Sequence, residues 1–199
     1  MLNVSDNKNN NPYIKLEDYK SFDYEIPNIF LDFIIEDKRV IVKTELKLIK
    51  KNININSLIL DGIDIFVEKI YLDESLLVEN NYSIQKNRLL IKPILKETFT
   101  LKIVGTIKPK ENFSLLGMYE SNGIITTQCE AEGFRRISYH SDRPDILSKY
   151  KVRIEANKEE YPVLLSNGNL IKANDLEHKR HEVIWEDPYP KPSYLFALV

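Results

Sequence analysis

A single cysteine, Cys129, is the whole thiol content of this 199-residue chain. One cysteine cannot close an internal disulfide, and a reducing compartment suits it. Long apolar runs are also missing: none approaches the roughly 20 residues that a membrane helix needs. Charge of one sign is not in excess either. The 28 basic residues nearly balance the 30 acidic ones, for a formal net charge of −2. Neither a phosphate backbone nor an anionic membrane is therefore expected as a partner. Met1 to Asp6 has neither a basic start nor an apolar segment, so no secretory signal is expected, and the cytoplasm is the expected location. There is no glycine-rich phosphate loop, no internal repeat and no sustained 3.6-residue period.

What is present is a globular composition, 43% hydrophobic and 29% charged, at the size of one large domain. Residues 1–12 are polar and aperiodic, with Asp6-Asn7-Lys8-Asn9-Asn10-Asn11-Pro12 at their core, and read as a disordered lead-in. After them the chain reads as strand upon strand. Val42–Leu48, Phe99–Ile103 and Tyr150–Glu155 alternate apolar or small residues with charged ones, the period-2 pattern of half-buried antiparallel strands. Further strands are expected at Asn28–Ile35, Ser57–Leu60, Ile65–Leu72, Arg88–Lys92, Pro162–Ser166, His181–Glu186 and Ser193–Val199. Asn167-Gly168 reads as a hairpin turn between Val163-Leu164-Leu165 and Asn169-Leu170-Ile171, because both central residues must take positive φ. Asn122-Gly123 and Asp61-Gly62 are similar. Pro188 to Pro192 reads as a rigid connection between strands. Only Pro144–Lys149 looks helical, with Asp142 as a candidate cap. The fold class expected is all-β, an antiparallel, saddle-like β-sandwich of two packed sheets with at most one or two short helices.

The densest polar stretch is Thr127-Gln128-Cys129-Glu130-Ala131-Glu132-Gly133-Phe134-Arg135-Arg136. If Ile124 to Glu130 is extended, alternation puts Gln128 and Glu130 on one face and Cys129 on the other. Several chemistries can be weighed here. Cys129 as a nucleophile would need a basic neighbour such as His140, yet two acids flank it in sequence, and a buried, inert cysteine is the plainer reading. Glu130 and Glu132 could stand at the roughly 5 Å separation of a retaining glycosidase pair, but no aromatic sugar platform surrounds them. Arg135, Arg136 and Arg143 with Asp142 and Asp145 read as a charge network fixing the turn after Gly133. His178 and His181 invite a zinc reading. However, His181-Glu182-Val183-Ile184-Trp185 has tryptophan where a zincin needs its second histidine. No metal site is expected in this chain, and exposed polar residues on a hairpin are the reading adopted for both histidines.

The same residues carry a resemblance. Gly117-Met118-Tyr119-Glu120-Ser121, Thr126 to Arg136, Asp142-Arg143-Pro144-Asp145, Tyr161 to Asn169 and Trp185 to Val199 closely resemble the N-terminal domain of bacterial aminopeptidase N. The match runs in order from about Tyr24 to the last residue and is most specific after Leu115. Members of that family are zinc-dependent exopeptidases with a β-rich N-terminal domain followed by a thermolysin-like catalytic domain and two further domains. The resemblance implies that residues 13–199 are a single N-terminal β-sandwich of a longer multidomain enzyme. The family's His-Glu-x-x-His, Gly-x-Met-Glu-Asn and oxyanion tyrosine are absent here and are expected beyond Val199. The apolar end Tyr194–Val199, with no polar tail, agrees with a chain cut from a longer one. Zinc would then belong to the full-length enzyme, and this fragment would be inactive alone.

By the same resemblance, Glu130 would bind the α-ammonium of a peptide substrate, and Gln128 would hydrogen-bond the same group. Glu132 would stay structural. The expected partners are the peptide N-terminus and the downstream catalytic domain of the same chain, docked on an apolar face, in a monomer. The alternative is a free-standing β-sandwich ligand-binding or adhesion module. A small thiol enzyme using Cys129 is a third reading.

Overall fold

The computed structural model describes residues 15–199; the lead-in expected at 1–12 lies outside them. Thirteen strands follow in chain order: β1 (Tyr24–Ile35), β2 (Val40–Lys50), β3 (Leu58–Asp61), β4 (Phe66–Leu72), β5 (Ser75–Leu76), β6 (Tyr82–Gln85) and β7 (Arg88–Ile91). Then come β8 (Thr98–Ile107), β9 (Gly117–Ser121), β10 (Ile124–Gln128), β11 (Ser148–Asn157), β12 (Asn169–Asp175) and β13 (Arg180–Lys191). Only short 3-10 turns supply helical geometry among the described residues, none with more than three residues. No helix there is long and apolar enough to cross a membrane.

Eight strands form one sheet in the order β12-β13-β11-β1-β2-β8-β4-β5, while β3-β7-β6 and β10-β9 form two small sheets. The alternation explains why. In β2, Val40, Val42, Thr44, Leu46 and Leu48 are buried while Glu45 and Lys47 are exposed. In β8, Phe99, Leu101 and Ile103 are buried, and in β11 Tyr150, Val152, Ile154 and Ala156 are. These faces join Leu58, Leu60, Leu89 and Ile91 of the three-stranded sheet and Met118 and Ile125 of the β9–β10 hairpin in one hydrophobic cluster. Each such aliphatic side chain contributes about 1.5–3 kcal/mol by leaving water. The result is an all-β sandwich.

Its strand pairs are antiparallel except β1 with β11, which run parallel from Asn28↔Lys149 to Ile34↔Glu155. A parallel neighbour requires a long crossover, and the whole site region between β2 and β11 lies in that connection.

Several local expectations are corrected. Pro144–Lys149 is not a helix: Pro144 and Asp145 form a turn, and Ser148 already begins β11. The Ser148 hydroxyl donates to the Ile26 carbonyl, tying that strand start to β1. Pro162–Ser166 and Ser193–Val199 are not regular strands, and Asn167-Gly168 does not close a hairpin. Instead Leu165 and Val199 exchange both backbone hydrogen bonds, at 2.7 and 3.0 Å. Asn167 spends its side chain on the same segment, accepting from the Ala197 N–H at 2.7 Å and donating to the Leu195 carbonyl at 3.1 Å. Asp61-Gly62 is not a hairpin turn either; Gly62 lies so close to the Tyr139 ring that an added Cβ would meet it at 2.3 Å. The last concerns Pro188 and Pro190, which lie inside β13 rather than in a separate connection. They fall where β12 no longer pairs and where the β11 register shifts, positions that tolerate a missing N–H.

The outer face of the large sheet carries an ion network across four strands. Arg153 donates to Asp32 at 2.7 Å, to Glu155 at 2.6 Å and to Glu182 at 2.6 Å. Lys43 and Arg180 flank it, on Asp32 at 3.2 Å and Glu155 at 2.5 Å. Replacing Arg153 by Met leaves three half-buried carboxylates facing one another. We expect a loss of about 3 kcal/mol in urea unfolding; a loss under about 0.5 kcal/mol would mean that water screens these pairs.

Candidate functional site

The β9–β10 hairpin presents the polar stretch. Its turn is Asn122-Gly123, with φ of 51° and 80°, the two positive values a tight two-residue hairpin requires. The register runs from Ile124↔Ser121 to Gln128↔Gly117. The strand ends at Gln128, two residues short of the expected extent, and Cys129 to Gly133 fold into a loop closed by the Gly133 N–H on the Cys129 carbonyl at 2.8 Å. Burial still alternates: Gln128 and Glu130 are exposed, and Cys129 between them is buried. The Gln128 amide donates to the Glu130 carbonyl at 3.3 Å, so the two residues are held together on the open side. Among the described residues the Glu130 carboxylate has no ion-pair partner. The Glu130–Ala131 peptide is cis.

Glu132 takes another course and pairs with Arg135 at 3.2 Å, which separates it chemically from Glu130. Arg135 continues inward. Asp142 accepts from the Arg135 backbone N–H at 3.1 Å and from its Nε at 3.0 Å, and the Asp142 carbonyl takes a further guanidinium bond at 3.0 Å. The Asp142 side chain is only 1% exposed. Its other oxygen accepts from the Ser193 hydroxyl at 2.5 Å. Arg143 pairs with Asp145 at 2.8 Å, while Arg136 leaves the expected network for Asp64 on the segment before β4.

The thiol and the histidines do not combine into catalytic sets. Burial, with the Asp142 charge adding to it, pushes the Cys129 thiol up to about 12. Burial pulls the His140 imidazole down to about 4, against the Asp142 charge. His140 packs edge-on against Phe134 at 5.3 Å, and neither ring nitrogen has a hydrogen-bond partner, so none reaches Cys129. His181 is buried rather than exposed as expected, in β13, with Nε2 at 2.7 Å from the Tyr161 carbonyl. His178 is exposed beside Glu177. The ring that could ligate is thus occupied by backbone, and Glu182 belongs to the Arg153 network. The described residues bring no three His, Cys, Asp or Glu side chains together as metal ligands, so they do not fit a zinc ion.

Sequence reasoning does not single out Thr127 and Ser193, whose hydroxyls prove to be junctions. Thr127 Oγ1 accepts from the Leu198 N–H at 2.9 Å and faces its carbonyl at 3.3 Å. Lone hydroxyl residues carry no spacing signature, so nothing short of the fold could distinguish them. An exposed apolar area lies beside the hairpin. It surrounds a groove of about 240 Å³ lined by Ile124, Pro162, Val163, Leu165, Leu198 and Val199 among others, with Val163 64% and Ile124 57% exposed.

Fold and loop together define an all-β module that offers one polar loop at the edge of a small hairpin. The model of the Peptidase M1 N-terminal domain matches residues 29–195, and the chain belongs to that family. It is 43% identical over 183 residues to aminopeptidase N of Haemophilus influenzae, covering 92% of this chain and 21% of that protein. Among solved structures, aminopeptidase A of Legionella pneumophila in complex with aspartic acid superposes with a TM-score of 0.87 at 42% identity, covering 93% of this chain and 22% of that one. An M1 zinc metallopeptidase from Deinococcus radiodurans shares the fold at a TM-score of 0.75 and 13% identity, over 88% of this chain and 41% of its own. The chain therefore spans about a fifth of the length of the curated relatives it matches.

Two outcomes follow from this geometry. A Cβ at Gly133 would stand 2.2 Å from the Gln128 carbonyl oxygen and 2.9 Å from Gly117 N. Gly133→Ala should cost about 1–3 kcal/mol in chemical unfolding; an unchanged midpoint would show that the loop can open at no cost. Cys129 should resist iodoacetamide at pH 8 in the native state and react in urea, since alkylation needs the thiolate. Rapid native labelling would refute its burial.

Proposed function

We propose that this chain is the N-terminal domain of a zinc-dependent aminopeptidase, in which Glu130 and Gln128 receive the free α-amine of a peptide substrate. The observation that carries this reading is an exposed Glu130 carboxylate with no ion-pair partner among the described residues, beside a Gln128 amide bonded to the Glu130 backbone carbonyl, in a chain of this family. An α-amine with pKa near 8 is largely protonated at neutral pH. A carboxylate gives it a charge-assisted hydrogen bond stronger than any neutral acceptor offers. The Gln128 side chain, already leaning toward Glu130, offers its carboxamide oxygen as a second acceptor. An amine-blocked peptide would leave the carboxylate unpaired once the site is covered, which selects for chain ends.

The zinc ligands belong to a part of the protein outside these residues, since the described residues assemble no ligand set. The role of this chain is then to bind and orient, and the isolated chain hydrolyses nothing. The apolar area around Ile124, Val163, Leu165 and Val199 is the face that docks on the catalytic domain. A monomeric, cytoplasmic enzyme acting on peptides is consistent with the balanced charge and the single buried thiol.

In the whole gene product, Glu130→Ala should raise KM for alanine p-nitroanilide and lower kcat/KM by about 100-fold, the scale of losing one partner of a desolvated charge pair. Wild-type kinetics would overturn the assignment. A reading frame that stops at Val199 would instead favour a free-standing binding module.

A further inference from the structure

Glu130 and Gln128 are exposed, and beyond the bond between them no other side chain among the described residues is hydrogen-bonded or ion-paired to either. Their position relative to the rest of the protein is therefore set by the buried Cys129 between them and by the two ends of the loop. Both ends are held by the same short segment, Ser193–Val199. At the leading end, Thr127 immediately precedes Gln128 and points the opposite way across the strand. Its hydroxyl meets the Leu198 N–H at 2.9 Å. At the trailing end, the Ser193 hydroxyl and the Arg135 backbone N–H share the Asp142 carboxylate at 2.5 and 3.1 Å. Between these, the Phe196 ring packs edge-on to Phe134 at 5.4 Å, and beside Tyr150 at 5.9 Å. The segment does not float. The Leu165–Val199 backbone pair and the Asn167 carboxamide fasten its other side.

We propose that Ser193–Val199 is the positioning element of the amine-binding loop, with Thr127 and Ser193 as the positioning residues through which it acts. This rests on the reading of Glu130 as the amine-binding carboxylate. Neither hydroxyl touches substrate. Each fixes one end of the loop, so losing either hydroxyl loosens where the Glu130 carboxylate meets the amine and weakens binding. Hydroxyl contacts serving stability alone would be expected to change unfolding and leave substrate binding as it was.

The test uses the whole gene product with alanine p-nitroanilide. Thr127→Val keeps the shape and removes the hydroxyl, Thr127→Ser keeps the hydroxyl, Ser193→Ala frees the other end, and Glu130→Ala serves as reference. Thr127→Val and Ser193→Ala should each raise KM about 5-fold, the scale of one lost hydrogen bond, with kcat changed less than KM. Thr127→Ser should restore KM to within about 2-fold of wild type. If Glu130→Ala raises KM but neither hydroxyl variant does, the positioning inference fails while the reading of Glu130 stands. A rise in Thr127→Val that Thr127→Ser does not reverse also overturns it. If Glu130→Ala leaves KM unchanged, the reading of the site fails and this inference falls with it. Should Thr127→Val not fold, Ser193→Ala decides alone.

Discussion

The carboxylate of Asp142 is the constraint around which the site region is arranged. A carboxylate on a side chain 1% exposed needs donors, because burying it without partners costs several kcal/mol. Asp142 collects its donors from two places far apart in sequence, Arg135 and Ser193. Satisfying it brings the 3-10 turn Phe134–Arg136 and the C-terminal segment onto the same spot. Once they are there, Phe134, Phe196, Tyr150 and Phe33 form one aromatic cluster with ring centroids 5.4–6.3 Å apart between neighbours. Polar satisfaction and apolar packing thus select the same arrangement, the agreement between levels that marks a well-specified fold.

The loop inherits its shape from that arrangement. Glycine suits position 133 because an added Cβ would run into the Gln128 carbonyl and the Gly117 N–H, and Gly117 in turn sits at φ 78° against Arg136. The two glycines let the turn after β10 fold back on the start of β9. Cys129 is driven inside by the same fold-back, which leaves Gln128 and Glu130 outside. The exposure of these two polar side chains is here a consequence of a very tight interior.

Much of this is legible in the amino-acid sequence. The alternation in Val42–Leu48, Phe99–Ile103 and Tyr150–Glu155 identifies β2, β8 and β11, because in each a charged face and an apolar face are separated cleanly. The positive-φ pair Asn122-Gly123 locates the hairpin that carries the site. The same logic fails at Asn167-Gly168. There the apolar run Val163-Leu164-Leu165 finds its backbone partner in Val199, more than thirty residues on, and no local pattern reports a long-range competitor. Pro144–Lys149 carries helix-start signals, but Asp142 is already committed to Arg135 and Ser193 and cannot serve as a cap. Thr127 and Ser193 have no signal at all. The spacing around His181 argues against a zincin, yet it says nothing of burial, and the ring lies inside, bonded to Tyr161.

On the proposed reading, the exposure of Glu130 has a physical consequence. A carboxylate in open water gains at most about 1 kcal/mol from an ammonium ion, because solvent screens the pair. Discrimination of a free amine from a blocked one therefore requires a second surface that excludes water when the substrate binds. The apolar groove that would receive such a surface is lined by Leu198 and Val199, and Leu198 is the residue that holds Thr127. The segment that orients the loop is thus continuous with the face that would desolvate it. Recognition and docking then share one piece of backbone, so a shift of the docked domain would reach Glu130 through the Thr127–Leu198 and Ser193–Asp142 contacts of that segment.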